Sequence, residues 1–138
     1  MPKASALAEK GLKTRIQVVG PSTATRPSIV AGVAPFMSQM TNEVVFGQVW
    51  SRTDKLDRRS RRLCVITALI SLRNHDELKV HIKGALRSGD LTKEELGEVI
   101  THMAFYLGWP TAVGATRAAK LAIDELEAEG VLKPTKKS

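Results

Sequence analysis

Hydrophobic residues recur along this chain at the spacing of helices. Between residues 74 and 86 they fall three or four apart and predict an amphipathic helix. A similar pattern over residues 93–107 follows Thr92, with Glu95 three residues later, which is the signature of a capping box. The stripes predicted to face the core are Leu78, Ile82, Ala85 and Leu86 in the first helix and Leu96, Val99, Ile100, Met103 and Leu107 in the second.

Four more segments also read as helices, at residues 4–19, 28–50, 57–72 and 110–129. Gly20 and Pro21 end the first, so a loop is expected up to residue 27, and Pro35 is able to divide the second. Asp57 is placed to cap the third, and alanines smooth the last for close packing. The pattern predicts an all-α fold, a single helical domain of about six helices.

We expect three parts within this domain organisation: an N-terminal helix and arm (1–27), the main helical domain (28–130) and a polar, basic and disordered tail (131–138). Residues 63–72 are apolar on almost every side. Such a helix belongs in the centre of a domain or in a subunit interface. The single cysteine, Cys64, is therefore expected to be a small buried side chain.

Composition constrains the partners and the compartment. Aromatic residues make up only 4% of the chain, which favours helices over strands. The net charge of +7 fits either nucleic acid or a small anionic substrate. The basic residues are scattered and no aromatic residues interleave with them, so we expect no nucleic-acid partner. One cysteine, no signal-peptide core and no run long enough to span a membrane predict a cytoplasmic protein without a membrane partner.

Candidate acid–base chemistry is concentrated on two of the predicted helices. Glu77 and His81 lie four residues apart, beside the apolar stripe, where partial burial suits proton transfer. The alternative is a helical ion pair at the rim of the core. On the next helix, His102 and Tyr106 follow Glu98 at the same spacing.

Four arginines at the start of the 57–72 helix form a second feature: Arg58, Arg59, Arg61 and Arg62. Cations are disfavoured at a helix N-terminus. The cluster indicates an anion site, an intersubunit salt-bridge cluster or simply a solvated basic turn.

Several reaction classes lack their motifs here. The sequence has no glycine-rich phosphate loop, no Gly-x-Ser-x-Gly elbow and no Cys-x-x-Cys pair. A metal site built from His75, His81 and His102 is disfavoured, because residues six apart diverge on a helix. Acid–base and electrostatic chemistry remains.

Five stretches together resemble the carboxymuconolactone decarboxylase family. They are residues 11–20, 46–52 (FGQVWSR), 57–63 (DRRSRRL), 77–86 (ELKVHIKGAL) and 98–110 (EVITHMAFYLGWP). The likeness covers residues 11–126 in the family's order and spacing. It implies an all-α fold related to alkyl hydroperoxidase D, with subunits that assemble through their helices into a trimer or a hexamer.

The resemblance also implies a reaction. The alkyl hydroperoxidase D branch carries Cys-x-x-Cys-x-x-x-His, but Asn74 and Glu77 stand at the two cysteine positions before His81. Without those thiols the chain resembles the decarboxylase branch, which removes CO2 from 4-carboxymuconolactone in aromatic catabolism and needs no cofactor. Arg62 departs from the family's pattern, because the resemblance implies a neutral or acidic residue at this position.

The site residues implied are catalytic His81, Glu77 and His102, with Arg61, Tyr106 and Trp50 binding a small anionic lactone or β-keto acid. Two alternatives stay open. One is a peroxidase that uses Cys64 alone and would need an exposed thiol with a low pKa. The other is a non-catalytic oligomeric or binding protein of the same fold.

Overall fold

A computed structural model describes residues 5–136, and within them every regular element is a helix. The predicted all-α fold is confirmed. The chain divides into two compact units, of which the first ends at Arg61 and the second begins at Arg62. In the described part of the chain, no helix has the length and apolar character needed to cross a membrane.

The first unit consists of short helices after one long one. Its elements are α1 (Ala6–Val19), α2 (Pro21–Thr25), α3 (Ile29–Val33), α4 (Pro35–Met40) and a π-helix (Thr41–Val49). The predicted loop after Gly20 is wrong in part, since Pro21 opens α2, as proline readily does at the first helical position. The predicted break at Pro35 is confirmed, because Ala34 is non-helical.

The π-helix packs against α1 with almost no space between the two backbones. A Cβ atom added to Gly11 would lie 1.8 Å from the carbonyl oxygen of Asn42. The Arg15 guanidinium donates to Asn42 Oδ1 at 3.3 Å and stacks 5.8 Å from the centre of the Phe46 ring. Glycine at position 11 is therefore a packing requirement of this helix pair.

The second unit begins within α5 (Arg58–Ser71), whose first residues belong to the first unit. Three more helices follow: α6 (His75–Ser88), α7 (Lys93–Leu107) and α8 (Trp109–Ala128). The predicted caps are confirmed. Ser60 N donates to Asp57 Oδ1 at 2.8 Å, and Thr92 and Glu95 form the capping box. The predicted α6 stripe of Leu78, Ile82, Ala85 and Leu86 is buried.

Helix α8 packs against both α6 and α7 through its alanines, which are among the most buried residues of the chain. Lys79 Nζ lies 2.7 Å from Glu125, Lys83 bridges Glu125 and Glu129, and Arg87 pairs with Glu129. Because the pairs advance together along both helices, α6 and α8 run in the same direction.

Helix α5 differs from the prediction of an all-round buried helix. Its inward row is Arg62, Ile66 and Ile70, whereas Cys64 is exposed and Leu72 is 73% exposed. The prediction for Cys64 is therefore wrong. A helix in a small unit needs only one buried stripe, and residue 64 lies between successive members of that stripe.

Part of the predicted tail contacts α7 and α8. The Thr135 hydroxyl donates to Glu127 Oε1 at 2.8 Å, and Lys93 Nζ donates to Lys133 O at 3.3 Å. Residues 1–4 and 137–138, with the predicted helix start at Ala4 and the end of the basic tail, lie outside the described residues.

Candidate active site

His81 occupies the second turn of α6, between the fully buried Leu78 and Ile82. Its ring is partly buried, and its Nδ1 atom is out of contact with solvent. Burial, and secondarily the nearby positive charge of Arg62, lowers the pKa of His81 from 6.5 to about 4. The imidazole is therefore neutral at neutral pH, with an N–H to donate.

Arg62 is the residue that sequence reasoning placed least well. Its side chain is fully buried, although it was expected in an anion site, an intersubunit salt-bridge cluster or a solvated basic turn. Nε donates to Asp90 Oδ2 at 3.0 Å, and Nη2 donates to Gly84 O at 3.1 Å and to Ser88 Oγ at 3.4 Å. The burial of Arg62 could have been predicted from its position, because it lies four residues before Ile66 and therefore on the same face of α5.

Glu77 lies one turn before His81 on α6, and it is exposed. Its backbone N–H donates at 3.3 Å to Oδ1 of Asn74, which caps the helix. Asn74 and Glu77 stand where the alkyl hydroperoxidase D branch carries its two cysteines. In this chain, both residues take part in the N-terminal cap of α6. They supply an amide and a carboxylate in place of a dithiol.

His102 and Tyr106 form a separate pair on α7. Their ring centroids are 5.1 Å apart, and Tyr106 is 73% exposed. Of the predicted residues of this unit, Glu77 and His81 therefore lie on α6, and His102 and Tyr106 lie on α7. Both supporting helices, α6 and α7, pack on α8.

The other two predicted residues belong to the first unit. Arg61 donates from Nε to Leu56 O and from Nη2 to Arg52 O, both at 3.0 Å, which closes the turn before α5. Trp50 is buried and stacks on Phe46, with the ring centroids 6.5 Å apart. Substrate binding by either residue stays a prediction.

A groove of about 340 Å³ lies between α7 and α8. Its floor is apolar, formed by Leu96, Ile100, Ala119 and Ile123, and none of the six predicted site residues lines it. Within residues 5–136, no three histidine, cysteine, aspartate or glutamate side chains are arranged to hold a metal ion.

Residues 35–121 match the model of the Carboxymuconolactone decarboxylase family. The chain belongs to this family. It is 31% identical over 121 residues to a 4-carboxymuconolactone decarboxylase from Acinetobacter baylyi, covering 86% of this chain and 87% of the relative. It is 28% identical over 130 residues to a nitrosuccinic acid decarboxylase from Metarhizium robertsii, covering 92% and 88%.

The family match includes the whole of α5, α6 and α7, hence His81, Arg62 and His102. The family predicted from the sequence motifs is thereby confirmed. The names of the two relatives share one reaction, the loss of a carboxyl group, and differ in the acid that undergoes it.

Proposed function

We propose that this protein is a cofactor-independent decarboxylase of small anionic acids, with 4-carboxymuconolactone as the first substrate to test. The observation that carries the proposal is the neutral, partly buried His81 beside a buried cation, in a chain whose relatives are named as decarboxylases. Both named substrates are acids with an electron-withdrawing group, a lactone in one and a nitro group in the other.

The chemistry requires an acceptor for a developing negative charge. When CO2 leaves a lactone acid, the carbon–carboxylate bond breaks and its electron pair spreads towards the lactone oxygen. A preorganised hydrogen-bond donor at that oxygen lowers the barrier. A cation held against the departing carboxylate would instead stabilise the ground state, because that charge disappears as CO2 forms. A neutral imidazole N–H suits the oxyanion.

In this proposal His81 donates to the developing oxyanion, and Glu77 or His81 itself protonates the carbon that lost CO2. The two roles of His81 give opposite pH profiles. If the neutral imidazole is required, kcat/KM falls as the pH drops through about 4, the pKa of His81. If the imidazolium is the acid, kcat/KM falls as the pH rises above that value.

In the proposal, His102 shares with His81 the binding of the substrate's carboxylates and of the developing oxyanion, and Tyr106 lines the pocket. The exposure of His102 and Tyr106 supports this, because both side chains are accessible to an incoming acid. Substrate binding by Arg61 and Trp50, which belong to the first unit, stays a prediction. The two hydrogen bonds from the Arg61 guanidinium to backbone carbonyls argue for a smaller contribution from that residue.

We also propose that the protein is a homo-oligomer, a trimer or a hexamer. The support is a set of large apolar side chains left in solvent by the single chain: Phe36, Leu72, Phe105 and Trp109. Light scattering on the eluting protein tests it, and a monomer at micromolar concentration would contradict it.

The decisive experiment is incubation of the purified protein with 4-carboxymuconolactone, following substrate loss and CO2 release. His81→Ala and His102→Ala are each expected to lower kcat by about 100-fold or more. Wild-type rates in both variants would refute the site assignment. Failure on this acid but turnover of nitrosuccinic acid would retain the reaction class and change the substrate.

A single-cysteine peroxidase remains the second candidate, because Cys64 is exposed, which is one of the two properties that this alternative requires. Cys64→Ser separates the two. If the protein is a decarboxylase, this variant releases CO2 at the wild-type rate. Any consumption of hydroperoxide should then be the same in the wild type and in Cys64→Ser.

A further inference from the structure

A fully buried arginine is an unusual component of a helical core. Taking a guanidinium out of water costs several kcal/mol unless paired and hydrogen-bonded groups compensate for it. Arg62 is 0% exposed, and its partner Asp90 is only 13% exposed at the side chain. Apolar side chains would fill the same volume without this penalty, so the arginine calls for a purpose other than stability.

The hydrogen bonds of Arg62 show where it acts. Its Nη2 reaches Gly84 O, and Gly84 lies one turn after His81 on α6. Its Nε reaches Asp90, in the turn that follows α6. One side chain from α5 thus holds both α6, at Gly84, and the turn after its end, at Asp90. Rotation or sliding of α6 would break both contacts.

We propose that Arg62 is the positioning residue of His81: by tying α5 to Gly84 and Asp90, its guanidinium fixes the turn of α6 that presents the imidazole. This inference rests on the proposed decarboxylase function, because it assigns Arg62 a part in that reaction. Arg62 has no contact with substrate in this scheme and acts through His81.

The charge of Arg62 adds a second effect to its geometry. It disfavours protonation of His81, in the same direction as burial does. Of the other charged groups on α6 and in the turn after it, Asp90 is paired with Arg62, and Glu77 is exposed. Lys79 and Lys83 of α6 are paired with Glu125 and Glu129 of α8. The α8 residues in the core cluster are all uncharged. Arg62 thereby helps to retain the neutral imidazole when an anionic substrate, which favours the imidazolium, is bound.

Two substitutions separate position from charge. Arg62→Met removes both, and we expect the titration midpoint of His81, followed by NMR of its ring protons without substrate, to rise by about one pH unit or more. Arg62→Lys retains the charge but loses the planar fork, so the midpoint stays low while kcat falls about tenfold or more. Arg87→Met is the matched control, since it breaks a different arginine–carboxylate pair, the one that Arg87 of α6 makes with Glu129. It is expected to change neither quantity.

The outcomes distinguish this inference from the function on which it rests. If His81→Ala loses activity but Arg62→Lys retains wild-type kcat, or Arg62→Met leaves the midpoint unchanged, the role of Arg62 is refuted and the function stands. If no acid is decarboxylated, the proposed function fails, and the midpoint in Arg62→Met still decides the electrostatic part. Should Arg62→Met fail to fold, Arg62→Lys decides alone: a lower kcat with an unshifted midpoint supports the inference, and a wild-type kcat overturns it.

Discussion

The lowered pKa of His81 makes the stability of the protein depend on pH in a window that can be isolated. In the unfolded chain an imidazole takes up a proton as the pH falls through about 6.5, whereas in the folded protein it does so only near pH 4. Between these values the unfolded state binds more protons. Acidification therefore favours unfolding, and stability is recovered as the pH rises.

The magnitude follows from the width of the window. Each pH unit over which only the unfolded imidazole is protonated corresponds to about 1.4 kcal/mol. Moving from pH 7 to pH 5 should therefore cost about 2 kcal/mol of unfolding free energy through His81 alone. The lysine-bonded Glu125, Glu127 and Glu129 have pKa values below their ordinary 4.5, so their contribution is lost only at still lower pH.

Urea denaturation at pH 7 and at pH 5, followed by helical circular dichroism, measures this difference. The wild type is expected to lose about 2 kcal/mol, and His81→Gln, which cannot titrate, to lose much less. His102→Gln serves as the control, because it removes an exposed histidine and should retain the wild-type dependence. An equal loss in His81→Gln and the wild type would refute the reasoning.

Three further predictions concern packing and backbone. Asp90→Ala leaves the charge of Arg62 buried without its carboxylate and should cost about 3–5 kcal/mol in urea denaturation; a change below 1 kcal/mol would contradict the pairing. Gly11→Ala places a methyl group against backbone and should cost about 1–3 kcal/mol or more, whereas Gly32→Ala, with open space around it, should be neutral or stabilising. Arg73 has a φ of 53°, so Arg73→Gly should be about 1 kcal/mol more stable than Arg73→Ala, and the reverse order of melting temperatures would exclude strain there.

Local signals were sufficient for most of the helices. The capping box at Thr92, the cap at Asp57 and the apolar stripe of α6 depend on residues three or four apart, and all are present as predicted. The π-helix was not predicted, because its i→i+5 bonding has no distinct hydrophobic period in the sequence and depends on the close approach of α1 at Gly11. Helix α2 was missed because Gly20 and Pro21 are equally typical of a loop.

For the candidate site, the sequence alone determined the residue types, the spacing of Glu77 and His81, and the family to which the chain belongs. Only the tertiary structure decided which of these groups is desolvated and by what. Arg62 and Cys64 are two residues apart, yet one is fully buried against Asp90 and the other is exposed. Burial depends on which face of α5 meets α6 and the turn after it. That contact joins residues more than twenty positions apart, and the pKa of His81 depends on it because desolvation and a neighbouring charge act through space rather than along the chain.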